Sequence, residues 1–228
     1  MITETGFLLS YIKYGDNDAV IHVFTKENGY RSGFLRGIYS KKSRKKPYLF
    51  PLRELCLTFS PNQRSGLSSI SKVELSDKRD FESNVKAGTV LFFIADMLNQ
   101  ILQNTDADLQ VYDEISKFLN ELEKGNFSAH PVFLIKMMAY AGIQPLITPA
   151  EFLNPESGSF ESEISHQLFG AEVSLIFREI IVSDCPYDKK LRTEQKQNLL
   201  DALLVYYQYH IPDFRTPKTL EVVQQIFE

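Results

Sequence analysis

Cysteine is almost missing from this chain of 228 residues. Cys56 and Cys185 stand alone, 129 positions apart. That spacing makes neither a metal-binding pair nor a disulfide framework, so both thiols are expected to be reduced and the chain cytoplasmic. Histidine is scarce too. His22, His130, His166 and His210 are scattered, and none stands at ligand spacing from another His or Cys, which argues against zinc. No phosphate loop of the Walker type occurs, which argues against ATP hydrolysis. Nothing resembles a Ser-His-Asp or Cys-His arrangement with a local signature. Asp16, Asn17, Asp18 and Glu27 are spaced loosely like a calcium loop, but Ile21 stands where that loop needs Gly; the segment reads as a polar turn between two strands. Long apolar runs are missing as well. The most apolar, 90–95, stops at Asp96, far short of a membrane span, and Met1-Ile2-Thr3-Glu4 lacks the basic start of a signal peptide. The expectation is a protein without enzymatic chemistry, metal, cofactor or membrane segment.

What the chain does have is ordinary globular composition, 43% hydrophobic and 24% charged, and enough length for one domain or two. Its charge is unevenly placed. The net value is -4. Residues 1–80 hold 14 Lys and Arg against 8 Asp and Glu, while residues 81–228 hold 11 against 21. A net +6 unit is therefore joined to a net -10 unit, which suggests a polyanion-binding module coupled to something else. The basic unit contains a concentrated run, Arg36, Lys41, Lys42, Arg44, Lys45 and Lys46, with no acid among them. Such a run is either a solvated loop or a surface that faces a polyanion. Phe34, Tyr39, Tyr48 and Phe50 flank it, and aromatics beside cations suit single-stranded nucleic acid.

The first 80 residues read as strands at 5–13, 19–25, 30–39, 52–59 and 67–75, with Asn28-Gly29 as a hairpin turn. Five short strands without an amphipathic helix to cover them predict a small closed barrel, with the basic run joining the third strand to the fourth. Cys56 falls in the fourth strand and is expected to be a small core residue. Beyond residue 80 the period turns helical. Helices are expected over 81–103, from 108 to the stop at Gly125, from Pro131 to Gly142, over 171–182, over 194–210 with Thr193 as N-cap, and after Thr216-Pro217. An irregular insert occupies 146–168. Tyr206 and Tyr207 are read as helix core and helix rim. The fold class is α+β in two domains, a barrel over 1–80 and a helical domain over 81–228.

The residues in order resemble the RecO family of recombinational DNA-repair proteins. The N-terminal half carries Gly6, then Tyr14-Gly15-Asp16-x-Asp18, Thr25-x-x-x-Gly29, Gly37, the basic run, Pro51, and Gly66-Leu67 leading to Glu74. The helical half carries Phe133-Leu134-Ile135-Lys136 leading to Gly142-Ile143-Gln144-Pro145, then Leu203-x-x-Tyr206-Tyr207-x-x-His210 and Lys218-Thr219-Leu220. The resemblance spans nearly the whole chain. It implies an OB-fold barrel followed by helices, and non-enzymatic work in the RecFOR pathway. Its members bind single- and double-stranded DNA, anneal complementary strands, pair with RecR, contact the acidic tail of single-stranded-DNA-binding protein and help load RecA at gaps. It also implies association with the nucleoid during repair. Many members carry a four-cysteine zinc site just after the glycine-proline exit. Residues 146–168 contain no cysteine, so a zinc-free variant is expected, with a remnant hairpin around 154–160.

On this reading Arg36, Lys41, Lys42, Arg44, Lys45 and Lys46 track phosphates, and Tyr39 and Tyr48 stack on bases. Lys136, Arg178, Arg215 and Lys218 are candidates for holding an acidic tail where a cation borders an apolar groove. Barrel and charge alone also fit an RNA-binding OB module with a helical interaction domain.

Overall fold

A computed structural model describes residues 1–60 and 67–226; Gly66 of the N-terminal pattern lies outside the described residues. Five strands form the barrel: β1 (Ile2–Tyr14), β2 (Asp18–Thr25), β3 (Gly29–Leu35), β4 (Glu54–Ser60) and β5 (Ser68–Leu75). Their closed order is β1-β2-β3-β5-β4. All neighbours are antiparallel except β3 and β5, which meet in parallel at Gly33 to Leu35 and seal the sheet. The predicted barrel and the α+β class are therefore present. Alternation explains the closure. Leu8, Ala19, Ile21, Val23, Leu55 and Leu57 point inward and are fully buried, each of the Leu, Ile and Val side chains contributing about 1.5–3 kcal/mol. Gly33 is required inside, since a Cβ there would meet the Ile70 side chain at 2.5 Å.

Several boundaries differ from the pattern. β3 ends at Leu35 instead of running to residue 39, because Gly37 takes a left-handed φ of 67° and turns Ile38 into the barrel end. Leu52 is not in a strand. It sits at φ 55°, buried, held by its N–H donating to Leu8 O at 2.8 Å. Cys56 is half-buried on the outer face of β4, between the inward Leu55 and Leu57; it is not a core residue.

The chain divides into two compact units, Met1–Asp113 and Glu114–Glu228. The first runs beyond the last barrel strand to include α1 (Val85–Ile101). Asn84 caps that helix, accepting from Ala87 N. Asn99, near its end, accepts hydrogen bonds from Ser10 Oγ and Tyr30 OH, both at 3.0 Å. Tyr30 N–H donates to Thr105 O. Gly29, at φ 65°, lies so close to Asp106 that a Cβ would fall 2.3 Å from its carbonyl carbon. These contacts bind the β2–β3 hairpin to the segment after α1.

α2 (Leu109–Glu123) ends at Gly125, whose φ is 83°. The second unit holds α3 (Ala129–Tyr140), α4 (Ala171–Val182), α5 (Thr193–His210) and α6 (Leu220–Ile226), with a hairpin of β6 (Phe152–Asn154) and β7 (Ser159–Glu161). Thr193 is the first helical residue of α5 and not its cap; Arg192 is the N-cap, with Gln195 Oε1 accepting from its N–H at 2.9 Å. Tyr206 and Tyr207 are both core, neither at the rim. Their hydroxyls donate to Ile143 O and Leu134 O, each at 2.8 Å, which ties α5 to α3 and its glycine-proline exit.

Within the predicted irregular insert, β6 and β7 make an ordered hairpin. Leu153 and Phe160 are buried. Asn154 Oδ1 accepts from Glu156 N and Ser157 N, Asn154 Nδ2 donates to Glu161, and Gly158 supplies the left-handed residue. An Asx turn, with Gly158 N–H donating to Asn154 O at 3.0 Å, thus closes the hairpin.

Candidate nucleic-acid interface

The basic run lies on the connection from β3 to β4, and apolar residues fix its two ends. Ile38 and Leu49 are buried in the barrel core, and Tyr39 and Tyr48 pack against the same cluster. Between these staples the chain turns on itself through Ser40 N to Gly37 O, Ser43 N to Ser40 O and Tyr48 N to Lys45 O. A single 3₁₀ turn over Lys46–Tyr48 completes it. Two further bonds tie the connection to the turn after β1: Gly37 N–H donates to Asp18 Oδ1 at 2.7 Å and Tyr39 N–H to Asn17 O at 2.9 Å.

Arg36, Lys41, Lys42, Arg44, Lys45 and Lys46 are all exposed, and none forms an ion pair among the described residues. The sequence thus places six cations together, and among the described residues none of them is paired with a carboxylate. Beneath the loop, Arg36, Lys42 and Lys45 line a cavity of about 280 Å³ together with Ser40 and Ser43. Its floor is apolar, with Ile38 and Ile70.

Tyr39 and Tyr48, expected to stack on bases, have their rings partly buried against the barrel. Tyr39 is also covered by Lys13, whose Nζ lies 5.7 Å from its ring. Partial burial, with Tyr11 nearby, pushes the Tyr39 hydroxyl above its usual pKa.

A second aromatic feature was missed by the sequence reading. β1 overhangs the barrel, and its outer face carries Ile12 and Tyr14, 61% and 62% exposed. Ile12 pairs with Val20, and Val20 with Phe34. The Tyr14 and Phe34 rings meet edge to face at 5.5 Å. Arg36, the first cation of the run, lies 5.9 Å from the Phe34 ring. A strip with Ile12 and Tyr14 exposed and Phe34 half-buried therefore runs into the basic loop. The register explains why the strip escaped notice. A bulge between Leu8 and Ser10 shifts the alternation, so Tyr11 and Lys13 take the inward register and Ile12 and Tyr14 turn out.

Two of the four tail candidates, Lys136 and Arg178, are engaged within the fold. Lys136 Nζ lies 3.7 Å from the buried Glu114, which also accepts from Tyr187 OH at 2.6 Å. Arg178 donates to Thr148 O at 2.7 Å and to Ala150 O, and its guanidinium covers the Phe160 ring at 4.2 Å. It therefore holds the β6–β7 hairpin. Arg178 also borders a groove of about 510 Å³ with Leu175, Pro149 and Ala150, whose lining includes the carboxylates of Glu151 and Glu172. Arg215 and Lys218 are exposed on the segment before α6. Among the described residues no cluster of His, Cys, Asp and Glu could hold a metal, and no helix is long and apolar enough to cross a membrane.

Comparison with known proteins gives two findings. Residues 1–79 match the family described as Recombination protein O N terminal. The chain is also similar along its length to curated proteins named DNA repair protein RecO. That of Flavobacterium psychrophilum is 25% identical over 99% of both chains. That of Porphyromonas gingivalis is 25% identical over 100% of both. That of Christiangramia forsetii is 26% identical over 100% of this chain and 99% of its own.

Proposed function

We propose, because this chain belongs to the RecO family, that it works in DNA repair and recombination as a non-enzymatic mediator. It binds single- and double-stranded DNA and anneals complementary strands. The observation that carries this reading is the set of six exposed cations without carboxylate partners, stapled to the barrel end beside the Tyr14–Phe34 strip. Two phosphate chains repel each other, and a fixed cationic surface that neutralises both lowers that barrier without any bond chemistry. Bases stack on the outer face of β1–β3, the face that OB barrels commonly offer. Tyr14, whose ring is exposed, takes this role more readily than Tyr39 and Tyr48, whose rings are partly committed to the core.

The acidic second unit serves protein contacts. The acidic tail of single-stranded-DNA-binding protein is one such partner, and RecR is the partner with which the chain helps load RecA at gaps. The work takes place in the cytoplasm, at the nucleoid during repair.

The test is annealing of complementary oligonucleotides coated with single-stranded-DNA-binding protein, without ATP. The expected result is faster annealing with this chain, lost when the four loop lysines become Ala. No acceleration, or a clear preference for RNA in competition, overturns the reading.

A further inference from the structure

We infer that the cavity beneath the 36–46 loop holds a terminal phosphate monoester, the phosphorylated end of a nucleic-acid strand, in preference to an internal phosphodiester. The inference rests on the nucleic-acid reading above and narrows it. Three cations, Arg36, Lys42 and Lys45, line one concavity of about 280 Å³. An internal phosphodiester brings a single negative charge. A terminal monoester brings about 1.5 to 2 near neutral pH and three acceptor oxygens, and so matches three cations better. Ser40 and Ser43 add hydroxyl donors at the same wall, and among the described residues no carboxylate lines the cavity.

The site is built before any ligand arrives. Ile38 and Leu49 are buried, and the turn bonds at Ser40 and Ser43 hold the loop in shape. The cations therefore stay together despite their mutual repulsion. A ligand meets a loop backbone that is already ordered, which lowers the ordering cost of binding. Size and floor agree with one strand end. The volume lies at the small limit of ligand pockets, about 300 Å³, and Ile38 and Ile70 offer an apolar surface to a sugar or base.

The experiment measures binding of the full chain to a single-stranded oligonucleotide of about 15 nucleotides, near the upper site size of one OB fold. Its end carries 5′-phosphate, 3′-phosphate or only hydroxyls, and a free nucleoside monophosphate competes in a separate arm. The expected result is about tenfold tighter binding of a phosphorylated end, the scale of one added charge-assisted hydrogen bond. Lys42→Ala with Lys45→Ala removes that preference. Lys41→Ala with Lys46→Ala weakens all three oligonucleotides alike and keeps it. Unchanged melting temperatures show that the variants fold, as expected for exposed side chains. Equal affinity for phosphorylated and unphosphorylated ends overturns the inference and leaves the DNA reading standing. Failure to bind any of the three overturns both. Displacement of the phosphorylated oligonucleotide by the free monophosphate at equal concentration assigns the cavity to a mononucleotide and rejects the strand end.

Discussion

Glu4 and Arg31 form an ion pair inside the barrel, at the end away from the basic loop. The Glu4 side chain is fully buried and the Arg31 side chain 22% exposed. Arg31 also covers the Phe59 ring at 4.1 Å, while Glu4 Oε2 has no hydrogen-bond partner among the described residues. One partner alone leaves a buried charge uncompensated. Arg31→Met is therefore expected to cost about 3 kcal/mol in chemical denaturation, and Glu4→Leu added to it should recover much of that loss. A second residue of this kind is His130 in the helical unit. Burial pushes its pKa down from 6.5 to about 4, and its neutral ring donates from Nδ1 to Phe127 O at 3.0 Å. The unfolded chain takes up a proton below pH 6.5 and the native chain does not. This contribution to stability is therefore complete above pH 6.5 and falls as pH drops toward 4, by roughly 3 kcal/mol in all. His130→Gln, which cannot titrate, should flatten that part of a stability-against-pH curve.

Among the elements, the β2–β3 hairpin and the outer strip of β1 carry the sharpest expectations. Gly29→Ala places a methyl 2.3 Å from the Asp106 carbonyl carbon at a left-handed φ. It should destabilise the first unit by at least 1 kcal/mol, roughly the strain scale of one unfavourable backbone conformation, read by thermal melting. Tyr14→Ala, at an exposed ring, should leave melting unchanged and cost about 1–3 kcal/mol in single-stranded DNA binding, the scale of one base stack. Equal binding by the variant would place the stacking surface elsewhere. The strands themselves were legible, because β-branched and aromatic residues are dense in β1 and β2, and in β4 the buried Leu55, Leu57 and Phe59 alternate with Glu54, Cys56 and Thr58. Their ends were less so. The stop at Leu35 depends on the left-handed Gly37, and the turn at Leu52 on a bond to Leu8 that is remote in sequence. The cations of the loop could be read directly, since charge needs no neighbour to reveal it. The Tyr14–Phe34 strip could not, because one extra residue at the β1 bulge reverses which side chains face out. Arg178 illustrates the same limit. As a letter it is a free cation, and in the fold its donors are used by Thr148 and Ala150.

For the whole molecule, the uneven charge determines how binding responds to salt. The acidic part repels a polyanion and the basic barrel attracts it, so the contact should be confined to the first unit. If the six loop cations neutralise about six phosphates on a single strand, log K should fall against log salt with a slope of roughly -4. Replacing Lys41, Lys42, Lys45 and Lys46 by Ala should flatten the slope and weaken all sequences alike. An unchanged slope would remove the loop from the contact.

The way the loop is fastened has a consequence for how such a protein can change. Its ends are held by Ile38 and Leu49, while the side chains at its tip take part in neither the core nor an ion pair among the described residues. Grip on a polyanion and cohesion of the barrel are therefore set by separate residues. Charge can be added or withdrawn at the tip with little penalty to folding, so drift or selection can retune affinity one lysine at a time.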